Sequence, residues 1–180
     1  INLYAFQDYI SEDSLNLALR RFIRDWDSFK GLKRKDQYPT TIDLIGYFKE
    51  VTPDSLQYVI EDLFETITLY NNAITEADYE KFPNNQFKIN LTINAEKIRV
   101  DSLGIENTID INDWIDIGIY AKNKEGIEQL IYLEKHKITA QEMNVEILVD
   151  DEPTKVGIDP TFKLIDRNLD DNIIIVSEGN

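Results

Sequence analysis

The chain has no cysteine and a single histidine, His136, among 180 residues. Without thiols it can form no disulfide, no thiolate zinc site and no cysteine nucleophile. With one imidazole it cannot place two histidines one helical turn apart, as the usual zinc hydrolase site requires. A Ser-His-Asp arrangement would have to use His136, which lies between Lys135 and Lys137 in a segment of strand period. No serine sits in a Gly-x-Ser-x-Gly elbow, and no glycine-rich phosphate loop occurs. No apolar run approaches the roughly 18 residues needed to cross a bilayer. No basic stretch followed by an apolar core opens the chain, so neither a signal peptide nor direct membrane insertion is expected. Positive charge is scarce as well. The 19 Lys and Arg against 34 Asp and Glu leave a net charge of −15, which argues against nucleic acid as a partner. The basic cluster Arg20, Arg21, Arg24, Lys30, Lys33, Arg34 and Lys35 is interleaved with Asp25 and Asp27 and reads as a solvated face and loop.

What is there falls into two periods. Leu3, Tyr4, Phe6 and Ile10 recur at helical spacing. Ser11 is a good N-cap, Glu12 and Asp13 favour the helix dipole, and Leu15, Leu19, Phe22, Ile23 and Trp26 make one apolar face, predicting a helix over 12–28. Thr40 and Asp43 form a capping box behind Pro39, followed by Leu44, Ile45, Phe48 and Val51. Thr52-Pro53-Asp54 reads as a further helix start, with Leu56, Val59, Ile60, Leu63, Phe64 and Ile67 behind it. From Thr68 the helical period lapses, and the change to sheet is expected within 68–86. Phe87, Ile89, Leu91 and Ile93 alternate with polar residues, and Ile98 and Val100 continue the alternation. Strands are also predicted over 113–121, 130–138 and 145–149, with a hairpin loop at 122–126 and an edge strand at 173–176. The expected fold is α+β: a short helical bundle over 1–70, then an antiparallel β-sandwich over 71–180.

Candidate chemistry is thin. No residue of the chain is assigned a catalytic or cofactor-binding role. Two acidic clusters could offer oxygen ligands to a hard cation, Asp150-Asp151-Glu152 and Asp166 with Asp170, Asp171 and Asn172. The first is explained by turn formation. In the second, Asp166, Asp170 and Asp171 are the calcium candidates, although neither cluster has the spacing of an EF-hand loop. Asp159 before Pro160 and Asp166 beside Arg167 have the alternative roles of turn capping and local ion pairing. Asn90-Leu91-Thr92 matches a glycosylation sequon but falls in a predicted strand.

Certain segments resemble a known family. Ser11-Glu12-Asp13 through Ala18-Leu19-Arg20-Arg21-Phe22, Tyr38-Pro39-Thr40, and Thr52-Pro53-Asp54 through Phe64 are similar to the last helices of the catalytic region in the aminopeptidase N family of zinc metallopeptidases. The remainder resembles the extreme C-terminus of a bacterial branch in which the peptidase follows a transporter-permease-like membrane region. There the residues are Asp113-Trp114-Ile115-Asp116-Ile117-Gly118, Gly157-Ile158-Asp159-Pro160, and Leu164-Ile165-Asp166-Arg167 leading to Asp170-Asp171-Asn172. The resemblance implies a zinc aminopeptidase anchored in a membrane, of which this chain is the C-terminal piece. The zinc-binding H-E-x-x-H, its distal glutamate and the glycine-rich motif that recognises a peptide N-terminus do not occur here. They, and the zinc, are expected upstream of Ile1, in a catalytic domain that is the expected partner. The helical end is expected to expose apolar side chains, Leu17, Tyr47 and Tyr58 off the principal stripes and Leu3, Tyr4 and Phe6 near Ile1, with self-association there. The alternative is a stand-alone helix-capped sandwich that binds a protein or carbohydrate.

Overall fold

The computed structural model describes residues 1–27 and 38–179. Lys30, Lys33, Arg34 and Lys35 of the basic cluster lie outside the described residues. The chain divides into two compact units, Ile1–Ile67 and Thr68–Asn180, each with its own apolar core. No helix among the described residues is long and apolar enough to cross a membrane.

In the first unit, α1 (Asn2–Ile10) and α2 (Glu12–Trp26) meet at Ser11, whose φ of 78° turns the chain in one residue and whose Oγ accepts from the Ser14 N–H. The capping box at α3 (Thr41–Val51) forms as expected, with Thr40 Oγ1 and the Asp43 carboxylate each bonding the other's backbone N–H. Thr52 does not start the next helix. Its hydroxyl donates to Phe48 O at 2.7 Å and closes α3, while Gln57 Nε2 donates to the Lys49 and Thr52 carbonyls. A 3₁₀ turn (Asp54–Leu56) leads into one turn of α-helix, α4 (Gln57–Ile60), then a π-helical turn (Glu61–Glu65). That turn closes on Glu61 O, which accepts both the N–H and the hydroxyl of Thr66. Ile67 is accordingly exposed rather than part of the helix face. The core centres on Phe6, Phe48 and Phe64, whose ring centroids lie 5.0–5.4 Å apart. Phe22 meets Tyr47 edge-on, and Tyr47 donates to Asp25. Ile23, assigned to the buried face from its spacing, is instead 66% exposed.

The second unit is a sandwich. One sheet has the order β3 (Glu106–Ile109), β2 (Phe87–Val100), β1 (Ile67–Lys81), β9 (Ser177–Glu178), with β6 (Glu142–Val149) also on β2. Residues 87–94 of β2 pair with β6, and residues 97–100 pair with β3, so one long strand serves two neighbours in turn. The other sheet runs β5 (Glu128–Ile138), β4 (Asp113–Lys122), β7 (Pro153–Ile158), β8 (Ile173–Ile175), all antiparallel. Ile89, Leu91 and Ile93 of β2 face the same core as Ile115, Ile117 and Ile119 of β4 and Val156 and Ile158 of β7. The pattern departs from the expected one in several places, and β3 and β7 form where no strand was predicted. Strand β1 occupies the interval where only a transition was expected, because Asn71, Asn72, Glu76 and Asp78 interrupt its alternation. Strand β9 pairs with β1 in parallel, since the chain leaves β8 and crosses to the opposite sheet.

Candidate functional site

The alternation of β2 carries one charge inward. Phe87, Ile89, Leu91, Ile93 and Ala95 are buried in phase, and Lys97 is next in that phase, 5% exposed. Asp113 is likewise in phase with Ile115, Ile117 and Ile119 of β4, and is 3% exposed. The two meet at 2.9 Å, with the Tyr70 hydroxyl donating to Asp113 at 2.9 Å and the Lys97 amine 5.9 Å from the Tyr70 ring centre. A buried charge needs such an opposite charge and hydrogen bonds to remain ionised.

A second cluster lies on the other face of β4. Gly118 is registered against Gly157 of β7, and Pro160 packs onto this pair. A Cβ on Gly118 would stand 2.6 Å from Pro160 Cγ. Beside the notch, Asp116 receives Lys163 Nζ at 2.8 Å and Lys135 Nζ at 3.0 Å, and its backbone carbonyl accepts the Asp159 N–H at 2.7 Å. Asp159, 2% exposed and left-handed at φ 43°, turns the chain. Its two carboxylate oxygens accept the Lys163 and Leu164 N–H groups at 3.0 and 2.8 Å. Burial pushes this carboxyl up to about 6 against the pull of those two N–H groups, and the nearby Asp116 charge raises it further.

The segment after Asp159 crosses from β7 to β1 and returns to β8. Tyr70 exchanges backbone bonds with Ile165 and Arg167, Ile74 N donates to Asp171 O, and Ile158 N donates to Asn172 O. Asp166 caps this crossover. Its Oδ2 accepts the Asn72 N–H at 3.0 Å and its Oδ1 the Asn168 N–H at 3.1 Å. The Asp166–Arg167 ion pair anticipated from adjacency gives way to a pair between Arg167 and Glu106. Of the other calcium candidates, Asp171 Oδ2 accepts Asn168 Nδ2 at 2.7 Å, and Asp170 is exposed. Among the described residues no three His, Asp or Glu side chains are grouped to hold a metal ion.

The remaining candidates stand apart from this junction. Asp150 accepts from Gln86 and Glu152 from Tyr79, whose hydroxyl pKa rises through burial and then through Glu152. His136 is half-buried on β5, 2.8 Å from the Tyr132 hydroxyl, which also donates to Glu134. Burial lowers the His136 pKa and, with Glu134, pushes Tyr132 up to about 12. Asn90 of the sequon donates to Asp78 from within paired strand β2. A groove of about 530 Å³ opens where β2, β3 and the β5–β6 connection meet, with Glu96, Asp110 and Gln141 on its walls. Lys97 also lines it, but its amine is held by Asp113.

The turn capping at Asp159 is legible in the sequence, whereas Asp166, expected to pair with Arg167, caps backbone N–H groups instead. Sequence reading missed Lys97, Asp116, Lys135 and Lys163 as network members, although Lys97 and Asp113 could have been flagged as opposite charges in phase with apolar neighbours. No protein-family model matches the chain, and no curated protein matches it either. Chemically, the arrangement joins lysine to aspartate and carboxylate to backbone N–H across four strands and a crossover. Its acids and amines neutralise one another, which suits fastening better than proton transfer.

Proposed function

We propose that this chain is the non-catalytic C-terminal part of a membrane-associated zinc aminopeptidase, with a structural or substrate-access role toward a catalytic region upstream of Ile1. The observation that supports it is spatial. The three segments of the sheet unit that resemble the bacterial aminopeptidase branch (113–118, 157–160 and 164–172) meet at one junction. A shared junction gives a physical reason for three individually weak motifs to occur in one order and spacing. Their charged groups fasten strands and backbone, so the role drawn from them is structural. Zinc and peptide hydrolysis belong, on this reading, to the upstream region, and association with the membrane comes through that longer chain. Leu3, Tyr4 and Leu17 in the helical unit are exposed and offer contact to that region, or to a second copy in its absence. Phe6 is fully buried, and Tyr47 and Tyr58 pack against the apolar core, so these three take no part.

The reading frame upstream of Ile1 tests this directly. An in-frame H-E-x-x-H with a distal glutamate is expected. The longer protein should cleave a chromogenic aminoacyl substrate in a chelator-sensitive way, while the 180-residue chain alone should not. One zinc per 180-residue chain with chelator-sensitive turnover, or an upstream frame without the motif, would overturn the proposal. In the latter case the stand-alone binding module becomes the better reading. Its candidate surface is the hollow of about 290 Å³ on β1, β2 and β6, where Asp78, Asn90, Asn144 and Glu146 face outward.

A further inference from the structure

The crossover holds buried polar atoms that nothing in the fold satisfies. Asn72 is fully buried on the inward face of β1 with Tyr70 and Ile74, and neither Oδ1 nor Nδ2 of its side chain has a hydrogen-bond partner. Asn172, also fully buried, donates Nδ2 to Ile158 O at 3.1 Å and toward Asp166 Oδ2 at 3.4 Å, but its Oδ1 is unpartnered. Asp171 Oδ1 is buried and unpartnered too. Asp166 Oδ2 links the set, since it accepts the Asn72 N–H and lies against Asn172 Nδ2. A buried carboxylate or amide oxygen left unsatisfied is destabilising, and native structures supply water or an ion where protein donors are missing.

We propose that this crossover binds one calcium ion, with Asp166 and Asp171 supplying charge and Asn72 and Asn172 supplying neutral oxygens. Three of the four unpartnered atoms are oxygens, one on Asp171 and one on the Asn172 amide that lies against Asp166, and what these lack is a donor or a cation. The nearest guanidinium in sequence, that of Arg167, is taken by Glu106. Calcium accepts a mixed set of carboxylate and amide oxygens completed by water in irregular geometry, whereas magnesium demands a near-ideal octahedron and keeps its waters. Two carboxylates balance the ion's charge. Half of the set is asparagine, so only two acids take part, and one asparagine comes from β1, 94 residues from Asp166. With only two charges the affinity should be modest, a Kd on the order of 10⁻⁴–10⁻³ M. Binding would lock the crossover to β1 and so tie the two sheets together.

The test uses the 180-residue chain, stripped with chelator and titrated with calcium chloride or magnesium chloride at constant ionic strength. Melting temperature is followed, together with tyrosine-sensitised terbium emission and its displacement by calcium. Tyr70 lies two strand residues from Asn72, about 7 Å, close enough to sensitise a bound lanthanide. Saturable binding of one ion is expected, with a rise in melting temperature larger for calcium than for magnesium. Asp171→Asn should weaken calcium about tenfold or more. The double variant Asp150→Asn, Asp151→Asn, in the other acidic cluster, should bind like the wild type. Absence of a saturable effect up to about 10 mM calcium would mean that water alone fills the place and would overturn the proposal. So would an equal loss in the Asp150/Asp151 variant, which marks adsorption to an acidic surface. If Asp171→Asn fails to fold, the wild-type titrations and the Asp150/Asp151 variant still decide.

Discussion

Lys97 sits where the alternation of β2 would ordinarily put an apolar side chain, and Asp113 does the same in β4. Each is tolerable only because of the other and of Tyr70. Lys97→Met should therefore cost about 3–5 kcal/mol in urea denaturation, because it strands a buried carboxylate. Adding Asp113→Leu should recover most of the loss. Simple additivity of the two changes would show that the pair carries no coupling. Asp159 makes a prediction about pH. Its folded pKa of about 6 exceeds the unfolded value of 3.8, so the folded state holds the proton more tightly. The stability it contributes is complete below about pH 4 and is lost as pH rises through about 6, by about 3 kcal/mol in all. The advantage of wild type over Asp159→Ala should shrink between pH 4 and pH 7. An advantage that grows with pH would mean that the two N–H bonds outweigh burial.

At the level of elements, local signals succeeded where the physics is local. The Thr40–Asp43 box and the Ser11 cap form because each involves groups within one turn of each other. Thr52-Pro53-Asp54 marked the right place, since the helical stretch begins at Asp54, but Thr52 is not its cap, because its hydroxyl reaches back to Phe48 O and closes α3. Strand β1 was missed because its asparagines and acids are poor strand formers in isolation, and pairing with β2 and the crossover supplies what propensity lacks. The glycine pair shows the same dependence. Gly118→Ala should destabilise by about 1–3 kcal/mol, since its methyl group meets the Pro160 ring. Pro160→Ala in the same chain should relieve part of that loss, as thermal denaturation of the single and double variants would show. No interaction between the two sites would mean that the notch closes elsewhere.

For the whole molecule, the two apolar cores are separate, and β1 lies within the second. A chain beginning at Glu65 should fold with strand-dominated circular dichroism and a cooperative transition. One beginning at Pro83 should not, because it lacks Tyr70, Ile74 and Tyr79 of the core and the strand to which the crossover is tied. Equal cooperativity of the two would show that β1 is dispensable. Exposed large apolar side chains occur in both units, Leu3, Tyr4 and Ile42 in one and Leu103, Leu148 and Ile175 in the other. Sedimentation of Leu3→Glu, Tyr4→Glu against wild type would show whether the helical unit mediates any self-association. What the sequence by itself determined was the order of parts, helices then strands, and the inward residues of the segments with a regular period, such as Leu15 and Phe48 in the helices and Ile89 and Ile117 in the strands. Periods of 3.6 and 2 are properties of consecutive residues and need no knowledge of what they pack against. Only the tertiary structure decided that Lys97 meets Asp113, that Lys163 reaches Asp116, and that Asn72 and Asn172 share Asp166. Those meetings join residues 16, 47, 94 and 6 positions apart. The three longer ones depend on strand register and crossover path, which burial of the whole core sets and no local window contains.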